Sequence, residues 1–125
     1  MDSMAAVGLA VFFLAVGVAH FVFPRYFRSL VPGWLGRARL LVKVSGVAEL
    51  VVGALVWVPA SRAAGAWAAA GLVTVYLVPH LDALRPAHRG RDGVLWQPVG
   101  VAARLVVNLC YLGLAVAVAL SAARP

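Results

Sequence analysis

Glu49 interrupts a run, 40–58, that is apolar apart from Lys43 and Ser45. It lies ten residues past Arg39, about 15 Å along a helix and so near the middle of a bilayer. Ser45 precedes it by four residues and Gly53 follows by four, so one small, polar face carries all three. In a second run, Arg104 stands six residues past Pro98, about 9 Å in, with Asn108 one turn further on the same face. A charge at the bilayer centre costs about 2.5–3.5 kcal/mol on an insertion scale, so such residues face inward and find partners. An Arg–carboxylate pair is bidentate and offsets part of that cost. The expectation is a buried Glu49–Arg104 pair whose hydrogen bonds Ser45 and Asn108 complete. Its chemistry is either a polar pocket for a small molecule, a quinone headgroup or a proton, or an internal pin that fixes helix register. No catalytic residue is assigned.

His20 and His80 close two further apolar runs at similar depth. Two such histidines are a known axial arrangement for haem, but a helix-end His more often hydrogen-bonds at the interface, so haem is not expected; no cofactor is predicted, and a quinone is the one left open. The histidines do not fall at metal-motif spacing, so no metal site is assigned. The candidate ligand-binding set is therefore His20, Ser45, Glu49, His80, Arg104 and Asn108. Lys43, only four residues past Arg39, snorkels to the headgroups. Asp82 faces headgroups or pairs with Arg85. Cys110, the single cysteine, cannot form an internal disulfide and reads as a small hydrophobe.

The elements that must position these residues follow from composition. The 125-residue chain is 64% hydrophobic and only 12% charged, with mean hydropathy +0.97. A soluble domain is about 25% charged, and disorder needs low hydrophobicity; both are excluded. A bilayer-crossing helix needs about 20 apolar residues. Four runs qualify, over 4–23, 40–58, 63–81 and 99–120, predicting an all-α, four-transmembrane-helix antiparallel bundle as one integral membrane domain, 1–125. The turn between Val58 and Ala63 is so short that its two helices are antiparallel neighbours. Gly46, Gly53, Gly65, Gly71 and Gly113 offer faces for close approach. Gly17-Val18-Ala19 has signal-cleavage spacing, but Asp2 in place of a basic leader argues for a retained span.

Net charge is +7. No recognition motif accompanies it, so nucleic acid is not a partner. The cations cluster instead beside the runs: Arg25, Arg28, Arg37 and Arg39 in loop one and Arg85, Arg89 and Arg91 in loop three, against Arg62 and Arg124 on the opposite side. The positive-inside rule places loops 24–39 and 82–98 in the cytoplasm, against anionic lipid headgroups, and both termini outside the cell membrane. Trp34 and Trp96 mark one border, Trp57 and Trp67 the other. Loop one reads as an interfacial segment or a plain connector; loop three, 85–93, reads as an exposed turn.

Three stretches together resemble the DoxX-like family of small four-helix bacterial membrane proteins: Gly17-Val18-Ala19-His20-Phe21 with Pro24 and Phe27; Ser45-Gly46-Val47-Ala48-Glu49-Leu50 with Gly53 and the Pro59–Arg62 turn; and Arg104-Leu105-Val106-Val107-Asn108. Where that family has Pro-Ala-Asn near the end of the third span, this chain has Pro79-His80-Leu81, and Val106 and Asn108 replace a Pro and a Gln. The resemblance implies a four-helix fold and a special status for His20, Glu49 and Arg104. It also implies a non-catalytic subunit or accessory factor of a membrane redox complex. The alternative is a quinone- or small-molecule-binding component of a membrane oxidoreductase using the Glu49–Arg104 site; a small transporter or proton pathway ranks last.

Overall fold

The computed structural model describes residues 2–124, and every regular element among them is helical. Four long helices, α1 (Asp2–Val22), α3 (Ala38–Trp57), α4 (Arg62–Asp82) and α5 (Pro98–Ala122), are long and apolar enough to cross a membrane. The protein is thus a multi-pass membrane bundle. A seven-residue helix, α2 (Pro24–Leu30), follows α1. The spans fall within two residues of those expected from hydropathy. Pro24 and Pro98 open α2 and α5, where the missing N–H leaves no bond unmade. The α3–α4 turn is tied by Ser61 Oγ donating to Leu55 O at 2.8 Å and Arg62 Nε donating to Val56 O at 3.0 Å, which satisfies carbonyls that the end of α3 leaves free.

Around the bundle the order is α1, α3, α4, α5, so α3 and α5 face each other only along the diagonal. The α1–α3 contact is the tightest, and glycines make it so. A side chain at Gly46 would lie 2.9 Å from His20 Cβ, and one at Gly53 would lie 3.1 Å from the backbone of Leu14. Gly65 does the same for the α3–α4 turn. Gly71 and Gly113, expected to act likewise, have nothing near them; they lie on outer faces, since a glycine shows composition but not which way it points.

The two ends of the bundle differ. Toward the termini, Ala6, Leu9, Ala10, Val56, Ala66, Ala69, Ala115 and Ala119 are buried to the last few per cent. Alanine surfaces let the four helices approach one another closely. Toward the loops the small residues give way to Phe, Val, Tyr and polar side chains, and the helices part around a cavity of about 670 Å³.

Loop one contains α2, which packs against α1 and α3, so it is an ordered element and not a plain connector. Loop three is largely exposed over 85–93, as expected, and is organised. It holds 3-10 turns at Pro86–His88 and Val94–Trp96, and the second is seated directly on Gly100, where any side chain would strike the Val94 carbonyl.

Candidate functional site

Glu49 projects from α3 into the bundle at 2% exposure. Its ionic neighbour is His20 of α1, whose Nδ1 stands 3.0 Å from Glu49 Oε2. Gly46, one turn before Glu49, is what lets α1 come this close. The same nitrogen stands 2.8 Å from Val16 O, one turn back. A carbonyl only accepts, so Nδ1 carries the proton and donates it to Val16 O. Glu49 Oε2 then lies beside the imidazole without a hydrogen bond of good geometry. Phe27 of α2 stacks on the His20 ring at 3.8 Å between centroids, holding the imidazole from its other side.

The expected Glu49–Arg104 pair is not formed: among the described residues Glu49 has only His20 as an ionic partner and Arg104 has none. Depth along each helix was legible, but the order of the helices was not, and the two residues lie on diagonal helices with the cavity between them. Arg104 turns toward loop three, donates from Nη1 to Leu95 O at 3.2 Å and rests its guanidinium 5.0 Å from the Trp96 ring. Its Nε and Nη2 are buried and have no partner. Asn108 does not serve Glu49 either. Its Nδ2 donates to Val73 O at 3.2 Å and fastens α5 to α4. Ser45 lies across from Tyr76, whose hydroxyl is close to both Ser45 and Glu49 yet lacks a well-formed hydrogen bond.

All six expected residues, His20, Ser45, Glu49, His80, Arg104 and Asn108, line the one cavity. Sequence reasoning missed Tyr76, which stands one turn before His80 on α4; a Tyr in a span reads as an interfacial anchor. Pro79, also on the cavity wall, has no N–H to give to Val75, one turn earlier. The remaining wall is apolar, with Phe12, Phe13, Val16, Val42 and Val73 among its members. Among the described residues, five buried polar atoms go without a hydrogen-bond partner: Glu49 Oε2, Tyr76 Oη, His80 Nδ1, and Arg104 Nε and Nη2. Every one belongs to a residue of this wall.

A family model described as "Domain of unknown function (DUF8561)" matches residues 9–119. The chain belongs to that family. No curated protein and no solved structure matches it. The DUF8561 match encloses every residue of the cavity wall, from Phe12 to Tyr111, but carries no activity with it.

Above the cavity a second polar group joins the loops. Asp82, at 8% exposure, accepts from Trp34 Nε1 of loop one at 3.0 Å and from Arg85 Nη1 at 3.2 Å. Its other oxygen accepts from His88 Nε2 at 2.9 Å. Arg91 Nη1 donates to His88 Nδ1 at 3.3 Å, which places the imidazole proton on Nε2. The Arg91 guanidinium then lies 3.6 Å over the Trp96 ring, a cation–π contact. The expected Asp82–Arg85 pair is present, but it is the smaller part of the arrangement. Trp34 and Trp96 are not simply border markers: one holds Asp82, and the other stands beside both Arg91 and Arg104.

Proposed function

We propose that this protein is a non-catalytic membrane subunit or accessory factor whose bundle holds a small amphiphilic molecule between its helices. One observation carries the reading: the five partnerless buried polar atoms all sit on the wall of one cavity of about 670 Å³. That volume falls within the range of about 300–1,000 Å³ common for ligand sites. A mostly apolar wall with a few convergent polar groups is the ordinary composition of such sites. A buried polar atom without a partner costs about 1–3 kcal/mol, and a bound molecule with its own polar groups removes that cost. No nucleophile–base pair, redox pair or assembled metal-ligand set among the described residues argues for chemistry on the ligand.

A quinone-binding component of a membrane oxidoreductase is the second reading. It is favoured by the two poles of the cavity: donors on Arg104 and His80 at one side, Glu49 with Tyr76 at the other. A quinone ring presents two oxygens on opposite edges. The resemblance to DoxX-like proteins supplies the redox association and the bacterial cell membrane as the location. The cation distribution supports cytoplasmic loops at 24–39 and 82–98, touching anionic headgroups. A transporter or proton pathway has the least support, because the packed alanine half of the bundle offers no continuation of the cavity.

The test is extraction of protein purified in a mild uncharged detergent, followed by mass spectrometry of the small molecules released. Wild type should release a stoichiometric amphiphile, and Ser45→Phe, which fills the cavity, should release much less. Equal release from both would refute the binding reading.

A further inference from the structure

We propose that the cavity takes a single-chain amphiphile with an oxyanion head, carboxylate or phosphate, and that the Nε–Nη2 edge of Arg104 receives it. The inference rests on the binding reading above and names the chemistry of its ligand.

Arg104 carries a full charge at 9% exposure, with no carboxylate at ion-pair distance among the described residues. Isolated buried charges are strongly disfavoured. Its one hydrogen bond, from Nη1 to Leu95 O, leaves Nε and Nη2 unpaired. Those two N–H groups point in parallel from one edge of the guanidinium plane, a fork that matches two oxygens of a carboxylate or phosphate. The bond to Leu95 O and the nearby Trp96 ring hold the plane from the loop side, and Gly100 seats the turn that supplies both.

The surroundings add positive potential and little that opposes it. Arg91 shares the Trp96 ring with Arg104. His80, a neutral donor or acceptor with Nδ1 unpaired, lines the same wall. The one carboxylate on the cavity wall, Glu49, already stands beside His20 on the diagonal helix. Beyond Arg104 the wall is mainly Phe, Val and Tyr, with Asn108, bound to Val73 O, and Glu49, beside His20, among its polar members, until the packed half closes it. A charged head at Arg104 therefore leaves its tail in mainly apolar surroundings, which favour it over water. A neutral headgroup answers the two donors but leaves the charge uncompensated.

The experiment is thermal unfolding in uncharged detergent with four probes: oleic acid, oleyl phosphate, methyl oleate and decylubiquinone. A ligand that binds only the folded state raises the unfolding temperature with concentration. Oleic acid, oleyl phosphate or both should do so for wild type, and the neutral probes should not. A shift by the acid alone identifies a carboxylate head, and one by the phosphate alone a phosphate head. Arg104→Gln should abolish the shift. Arg104→Lys keeps the charge without the fork and should weaken binding about tenfold or more; it also serves if Arg104→Gln does not fold. Methyl oleate or decylubiquinone matching the anions, or Arg104→Lys binding them as tightly as wild type, overturns the oxyanion head and leaves the binding cavity standing. Failure of all four probes overturns the oxyanion head. If, in addition, the extraction described above releases equal amounts from wild type and Ser45→Phe, the cavity reading falls with it.

Discussion

His20 Nδ1 lies 3.0 Å from Glu49 Oε2 while giving its proton to Val16 O, so one imidazole ties α1 to itself and lends its polarity to α3. Removing the imidazole strands a carboxylate at 2% exposure. His20→Phe should therefore destabilise the bundle by about 1–3 kcal/mol, the cost of leaving a buried polar group without its polar neighbour. A double-mutant cycle of His20→Phe with Glu49→Gln should show clear coupling, because the second change removes the stranded charge. The matching cycle of Glu49→Gln with Arg104→Gln should be close to additive. Equilibrium unfolding in mixed micelles measures both cycles, and strong 49–104 coupling would contradict the diagonal arrangement.

Gly46 sets the distance between those two residues. Gly46→Val should force α1 away from α3, lowering the unfolding temperature and exposing Glu49 to carboxyl-directed labelling. Gly113→Ala should be neutral or stabilising by up to about 1 kcal/mol, since nothing lies near Gly113 and alanine favours helix. Equal losses from the two substitutions would mean that the close approach at Gly46 has no energetic role.

Asp82 joins loop one to loop three. Asp82→Asn keeps the shape but cannot accept at both oxygens, and charged hydrogen bonds are worth about 1.5–3 kcal/mol. Limited proteolysis in detergent should then cut 85–93 faster than in wild type, and Trp34 should become more accessible to an aqueous quencher. Unchanged cleavage would mean that the two 3-10 turns hold without it.

A reporter that works only outside the cytoplasm, fused after Pro125, should be active, and a cysteine placed at position 89 should react only with reagents that reach the cytoplasm. The expectation comes from the cations of loops one and three. The opposite pattern would invert the orientation and leave the bundle as it is.

The spans were legible because hydropathy acts over whole turns, and Glu49 and Arg104 stood out because a membrane makes an internal charge costly. Their partners were not legible. Residue spacing gives height along a helix, while the identity of a neighbour depends on how helices are ordered around the axis, and only the α3–α4 adjacency could be read from a short turn. Asp82, Trp34 and His88 meet through irregular backbone, where no period connects their positions in sequence. Tyr76 was hidden for a different reason: its apolar ring suits a span, and its hydroxyl matters only because Glu49 and Ser45 happen to be level with it.

The alanine-packed half has a consequence for exchange. A chamber stoppered at one end is blind: it offers no path through the bundle to the terminal side. A molecule held there as proposed would be taken up and handed on without passing through the bundle.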